Sequence, residues 1–300
     1  MTQRLGVRAT WPVKLAAMHT LLWEARTWSP GVWEILVWLI WRTVLAYVST
    51  SLAESATTHE GLSVLVPCLN EAENLTELVR RVRAAFANPD MGPGPARELI
   101  LIDDGSSDDT WPTMRRLSAT WSELRVVRHP TRLGIPAAWR SGLRHGRGAW
   151  VCVLDADLQY DPEEIARLWA AQKATDADVV QGTRATRERR HDLRYLLSRG
   201  LNALLNSTFD MSLQDNKSGF FLCQREVLQM LLGFRRHFRH WQCFVMVAAH
   251  HHGLNIHQVK TPFRPRSAGR SAFGRIPIGS TVGVALDLLT ALSEYRRRRA

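Results

Sequence analysis

The sequence predicts an α/β fold with a largely parallel central sheet flanked by helices. Three observations carry that expectation. From residue 61 onward, apolar runs of strand length alternate with segments of helical periodicity. The runs "LSVLVP" and "WVCVL" are apolar almost without interruption, as strands covered on both faces are. Finally, polar clusters follow the runs, at the edge where open α/β sheets bind ligands.

The elements follow in chain order. Residues 1–60 form a Trp-rich extension: Trp11, Trp23, Trp28, Trp33, Trp38 and Trp41 all fall there. Within it, Trp33–Val48 reads as a helix with Trp33, Val37, Trp41 and Val44 on one stripe. Tryptophan favours the lipid–water boundary, so this helix suits a membrane surface, or packing on the catalytic domain or a partner subunit. The first 25 residues lack the pattern of a cleaved signal peptide. Residues 61–260 are the expected α/β domain. Leu62–Pro67 is its first strand, and Leu75, Leu78, Val82 and Phe86 mark the face of a following helix. After the turn "NPDMGPGP", Glu98–Asp103 is a second strand. "RVVRH", "WVCVLD" and "DVVQG" are further strands, with helices beginning near Ser107, Ile135 and Pro162. Residues 261–300 form a loop, an amphipathic helix and a polybasic tail. In that helix Val282, Leu286, Leu289 and Leu292 share one face, with Asp287, Thr290 and Glu294 opposite. No uncharged run reaches the ~20 residues that span a bilayer, so an interfacial helix is expected, or one that docks a subunit.

The formal net charge is +11, and from Lys260 through Leu286 there is no Asp or Glu. That asymmetry suits an anionic partner: a phosphorylated substrate or an acidic lipid surface. The basic residues are not interleaved with aromatics outside the Trp-rich start, and no recognition motif appears, so nucleic acid is not an expected partner. Cys68, Cys152, Cys223 and Cys243 form no C-x-x-C pair and read as reduced thiols of the cytosol.

Against this basic background, "DADLQYDPEE" (Asp155–Glu164) crowds five carboxylates into ten residues. Carboxylates at i and i+2 in an extended segment project to one side, so Asp155 and Asp157 can share a divalent cation. Mg²⁺ or Mn²⁺ takes one or two such carboxylates plus phosphate oxygens and water. Gln159 repeats the two-residue step with a neutral oxygen. Asp161, Glu163 and Glu164 read instead as helix-start residues around Pro162. Asp103 and Asp104 precede "GSSDDT", where Gly105 allows a tight turn and either carboxylate could reach a base or ribose hydroxyl. Asn70 and Glu71 stand at the same edge.

The ordered set "LSVLVPCLNEAENL", "LILIDDGSSDDT", "WVCVLDADLQYDPEEI", "DVVQGTR" and "LRYLLSRGLN" resembles the family 2, GT-A-fold glycosyltransferases. More narrowly it is similar to polyprenyl-phosphate sugar synthases of the dolichol-phosphate mannose synthase type. The resemblance covers the chain from about Leu62 to the end. It implies inverting transfer of a hexose from a nucleotide-diphosphate sugar, of the GDP-mannose or UDP-glucose class, to a polyprenyl phosphate. It implies nucleotide contacts at Pro67, Asn70, Glu71 and Asp103, and metal ligation by Asp155, Asp157 and Gln159. Arg184, Arg194 and Ser198 would hold the acceptor phosphate, and Arg266 would close over the phosphates. Guanidinium groups suit that task, and an anionic acceptor needs no general base. Peripheral attachment to the inner, cytoplasmic face of the membrane follows as an expectation.

Four positions depart from the family pattern: Ala272 replaces a lysine, Phe221 an arginine, Gln242 a glutamate, and Pro136 a small residue. They leave open a different acceptor, such as a lipid alcohol or small metabolite; a non-catalytic nucleotide-sugar-binding scaffold is the other alternative. Arg187, Arg189 and Arg190 read as a solvated loop. His237, His240, His250, His251, His252 and His257 read as surface residues rather than a metal site.

Overall fold

In the computed structural model, residues 61–91, 96–184, 193–236, 238–266 and 278–295 are described. The Trp-rich extension, the arginine loop after Arg184, His237, Gly269 to Ala272 and the arginine tail lie outside them.

Strand β1 (Leu62–Cys68) occupies the middle of the sheet. Its neighbours β2 (Arg97–Asp103) and β4 (Trp150–Val153) both run parallel to it. Beyond β2 lies β3 (Leu124–Arg128), also parallel. Strand order therefore reverses at β1, with helix crossovers on opposite faces, and this opens a crevice at the carboxyl ends of β1 and β4. Past β4 come β6 (Phe221–Gln224), β5 (Val179–Arg184) and β7 (Ile256–Thr261), completing seven strands. β6 pairs antiparallel with both β4 and β5, whereas β5 and β7 are parallel. "FLCQ" is too short to show periodicity, which is why β6 escaped the sequence reading.

The apolar continuity of β1 has a direct cause in the pleat. Val64 and Val66 face α1 (Ala72–Phe86) and meet the core containing Leu75, Leu78 and Val82. Leu65 faces the other way, toward α3 (Ile135–His145), with Trp139 and Leu143. Gly142 lets that crossing close in, since a Cβ there would lie 2.9 Å from a Leu65 methyl and make it shift. α2 (Thr110–Ser118) follows β2. α4 (Ile165–Thr175) follows a 3₁₀ turn at Pro162–Glu164.

That turn places Asp161, Glu163 and Glu164 at a helix start, as expected, and gives two of them distant partners as well. Asp161 makes no capping bond; it accepts from Arg81 of α1 (2.6 Å) and from Arg264 Nε (2.9 Å). Glu163 also accepts from Arg81 (2.5 Å), and only Glu164 keeps to its own helix, pairing with Arg167. The motif's second half is therefore a clamp between distant segments.

α5 (Leu193–Phe209), α6 (Arg225–Leu231), α7 (Val245–His251) and α8 (Ile278–Tyr295) complete the described helices. α8 seats in an unexpected way. Asp287 is buried and accepts the backbone N–H groups of Arg239 (3.1 Å) and His240 (2.6 Å). A Cβ at Gly283 would fall 2.6 Å from the His240 ring, and Tyr295 stacks on Phe238 at 6.1 Å. Leu286 and Leu289 face outward, 59% and 64% exposed. The carboxylate is drawn inward because two loop N–H groups offer it partners. His240 is consequently a buried packing residue and not a surface histidine. His250 and His251 are half-buried, with His251 against Tyr295 at 5.5 Å. All four cysteines are free thiols. Among the described residues, no helix is long and apolar enough to cross a membrane.

Candidate active site

The carboxyl end of β1 turns through Asn70, which adopts φ 56. Asn70 and asparagine-tolerant left-handed geometry fit each other, and the turn is held by its neighbours. The Asn70 N–H donates to Ser106 Oγ (2.9 Å), its Oδ1 accepts from the Ser107 N–H (2.9 Å), and the Glu71 N–H donates to Thr110 Oγ1 (2.9 Å). The loops after β1 and β2 are thus tied into one unit, flanked by the partly buried Pro67.

The structure separates the two aspartates after β2. Asp104 spends both oxygens on the chain itself. Oδ1 accepts from the Leu133 N–H (2.8 Å) and faces His129 Nδ1 (2.8 Å), and Oδ2 accepts from the Gly134 N–H (2.9 Å). It is a brace for the "RLGIP" loop, where Gly134 has φ 88 and Pro136 sits in the first turn of α3. Asp103 is fully buried; Oδ1 takes the Ser106 N–H (2.9 Å), while Oδ2 lies 3.2 Å from Arg128 Nε without hydrogen-bond geometry. A buried oxygen left in that condition is suited to a ligand donor.

Asp155 and Asp157 stand beyond β4, beside Gly219, whose missing side chain leaves room: a Cβ there would lie 3.3 Å from Asp155 Oδ2. Burial, together with the adjacent Asp157 charge, pushes the Asp155 carboxyl up to about 7. Burial also raises Asp157, which accepts the Gln159 N–H at 3.2 Å, and Glu71. Arg266 stands over these acids: its Nη2 bonds Glu71 Oε1 and lies 3.8 Å from Asp157 Oδ2. Gln159 donates its side-chain N–H to the Arg264 carbonyl (3.3 Å).

On the far side of Asp155, Arg184 ends β5 and grips Asp215 through two bonds, Nε to Oδ2 (2.6 Å) and Nη2 to Oδ1 (2.8 Å). Burial alone would favour neutral arginine, but the Asp215 carboxylate holds it charged and raises its pKa. Ser198 on α5 accepts from Lys217 Nζ at Oγ (2.8 Å) and also at its carbonyl. Arg194 lies on the same helix; its side chain is outside the described residues. Phe221, a suspected acceptor-site departure, is core: it packs edge-on against Trp139 at 5.7 Å on the opposite sheet face. Asp215 and Lys217 were missed by the sequence reading, although the polar run "DNK" before "SGF" was the available signal.

The sequence model of glycosyl transferase family 2 matches residues 63–232. The chain belongs to this family. An undecaprenyl-phosphate 4-deoxy-4-formamido-L-arabinose transferase from Sodalis glossinidius is 32% identical over 235 residues, 77% of this chain and 68% of that protein. A dodecaprenyl-phosphate galacturonate synthase from Rhizobium johnstonii is 29% identical over 236 residues, 77% of this chain and 66% of that one. The chain thus spans about two-thirds of the length of these relatives. A glucosyl-3-phosphoglycerate synthase from Mycobacterium tuberculosis, solved with Mn²⁺, UDP and glucosyl-3-phosphoglycerate, superposes with TM-score 0.58 at 23% identity, covering 80% of this chain and 83% of that one. A Pyrobaculum calidifontis mannosyltransferase with GDP-Man and Mn²⁺ gives TM-score 0.55 at 18% identity, covering 77% and 63%. These neighbours share the GT-A fold, and this chain is a glycosyltransferase of that fold.

The acids of this glycosyltransferase fit a divalent cation of the kind those neighbours carry. Among the described residues no three His, Cys, Asp or Glu side chains form a closed metal cage. Two neighbouring carboxylates, both raised by burial and Asp155 also by the Asp157 charge, would form an open site instead. That is the donor set of a cation whose other oxygens come from substrate phosphates and water.

Proposed function

We propose that this glycosyltransferase moves a hexose from a nucleotide-diphosphate sugar to a polyprenyl phosphate, with inversion, in a metal-dependent reaction. The observation that carries the reading is the flanking of Asp155. Acids suited to a metal-bound diphosphate lie on one side of it, and the cations Arg184 and Lys217 lie with Ser198 on the other. Asp155 and Asp157, with Gln159 at the motif's end, would hold Mg²⁺ or Mn²⁺. When bound, that ion offsets negative charge growing on the departing nucleotide. Asp103 would accept from the base or ribose, within the loop unit of Pro67, Asn70 and Glu71, while Asp104 braces that unit. Arg266 now rests on Glu71 and would exchange this contact for donor phosphates. Arg184, Arg194 and Ser198 would orient the acceptor. One acceptor phosphate oxygen attacks the anomeric carbon, the bond to the diphosphate breaks, and the nucleoside diphosphate leaves with the electron pair. The nucleophile is already an anion, so no side chain must remove a proton.

The relatives' polyprenyl-phosphate acceptors are membrane lipids, and this supports peripheral attachment. The outward Leu286 and Leu289, on a helix followed in sequence by Arg296–Arg299, suit an anionic cytoplasmic lipid surface. The test uses purified protein with Mn²⁺ or Mg²⁺ and a donor panel: UDP-glucose, GDP-mannose, UDP-galacturonate and UDP-4-deoxy-4-formamido-L-arabinose. Each is run with and without farnesyl phosphate. Metal-dependent glycosyl farnesyl phosphate is expected from one donor. Donor hydrolysis with no lipid product from any donor would refute the phosphate acceptor and leave the lipid-alcohol or small-metabolite alternative.

A further inference from the structure

We propose that Lys217 is a direct ligand of the acceptor phosphate, acting with Ser198 and Arg184; this rests on the phosphate-acceptor reading above. The segment leading into β6 carries the argument. Because β6 is inserted antiparallel between β4 and β5, residues 215–220 must pass between the ends of those two strands. Asp155 follows one strand and Arg184 ends the other. Three contacts fix that passage. Asp215 holds Arg184 by two bonds at 2.6 and 2.8 Å. The Lys217 N–H donates to the same carboxylate, at Asp215 Oδ1 (3.1 Å). Gly219 lies so close to Asp155 that a Cβ would sit 3.3 Å from its Oδ2.

Lys217 is therefore anchored at its backbone between a gripped guanidinium and the carboxylate that borders the donor. Its ammonium reaches across to α5, where it donates to Ser198 Oγ at 2.8 Å and to the Ser198 carbonyl. Both of these acceptors are neutral oxygens, and they aim the ammonium along α5. The charge of Lys217 also acts, together with that of Arg184, on the Cys243 thiol, so the two cations share one locality. An ammonium is a compact donor whose three N–H groups rotate on a flexible stem. It can turn one toward a phosphate oxygen while Ser198 keeps it aimed. Asp215 acts through both cations as a positioning residue, fixing Arg184 by its side chain and Lys217 by its backbone.

The test is binding of farnesyl phosphate to the full chain in the presence of Mn²⁺, with Mn²⁺-dependent UDP and GDP binding and Tm measured alongside. A charge-assisted hydrogen bond to phosphate is worth about 1.5–3 kcal/mol, so Lys217→Gln should weaken farnesyl phosphate binding roughly 10- to 100-fold. Lys217→Arg should stay within about fivefold of wild type, since it restores a cationic phosphate donor. Nucleotide affinity, farnesol affinity and Tm should not move in either variant. Unchanged farnesyl phosphate binding by Lys217→Gln, where Ser198→Ala weakens it, would overturn the role of Lys217 while leaving the acceptor reading standing. Parallel losses of Tm, nucleotide and lipid binding would overturn it in favour of a structural clamp. Wild-type protein that binds nucleotide but no farnesyl phosphate would overturn the acceptor reading and this proposal with it.

Discussion

Replacing Asp215 by alanine strands a charged guanidinium. The Arg184 and Asp215 side chains are 17% and 7% exposed, and their two bonds have near-ideal bidentate lengths. Removing one partner of a buried pair costs about 3–5 kcal/mol, because the other charge is left in a poor dielectric. For a domain of this size, each kcal/mol lowers Tm by about 2–4 °C, so a fall of roughly 10 °C is expected. Burial pushes the Asp215 carboxyl up, but the Arg184 guanidinium pulls it down by more, leaving it below its ordinary 3.8. The folded-state value is the depressed one, so the pair's contribution is present at neutral pH and fades as pH falls below about 4. The assay is thermal unfolding at pH 7 of wild type, Asp215→Ala, Arg184→Met and the double variant Arg184→Met/Asp215→Leu. The double variant should recover most of the loss, since an apolar pair of similar volume removes both desolvation costs. Activity should be lost in all three. A single variant within 2 °C of wild type, or a double variant whose loss equals the sum of the singles, would refute the coupling.

Three further outcomes follow from the same geometry. Asp155→Asn should abolish transfer yet raise the Tm of metal-free protein at pH 8 by several degrees. Its folded value of about 7 lies above the ordinary 3.8, so a cost on the order of 4 kcal/mol before solvent screening accumulates as pH rises from about 4 to above 7. Mn²⁺ should stabilise wild type and not this variant, read by scanning fluorimetry with and without the ion. Gly105→Ala places a Cβ 2.6 Å from the Thr131 carbonyl carbon at a φ of +76. It should cost about 1–3 kcal/mol and weaken UDP or GDP binding, measured by calorimetry, because the turn carries Asp103 and Ser106. Leu286→Gln/Leu289→Gln should leave Tm within 2 °C of wild type and reduce the affinity for anionic vesicles, read by co-sedimentation, by at least about 100-fold, since each buried leucine is worth about 1.5–3 kcal/mol.

By itself the sequence determined whatever depends on near neighbours in the chain. A short, valine-rich apolar run such as Leu62–Pro67, closed by a proline, suits a strand buried on both faces, and the polar residues that follow it then fall at the sheet edge. Asp155 and Asp157 stood out for the same reason, as two carboxylates directly behind an apolar run, although residues 156–157 form a turn and not the extended chain that the two-residue step suggested. Local pattern could not say which of two adjacent aspartates is available. Asp104 is saturated by backbone N–H groups about thirty residues downstream and Asp103 is not. Nor could it assign Arg184 to Asp215, Lys217 to Ser198, or Asp287 to the loop before α7. The helical pattern of α8 was legible, but the inward seat of Asp287 was not, because a carboxylate goes where donors await it, and those donors come from another segment. Such pairings are made by charges and hydrogen-bonding groups that meet only when distant segments pack. Their partners are set by the order of strands in the sheet, above all by the antiparallel insertion of β6 that threads Lys217 and Gly219 past Asp155.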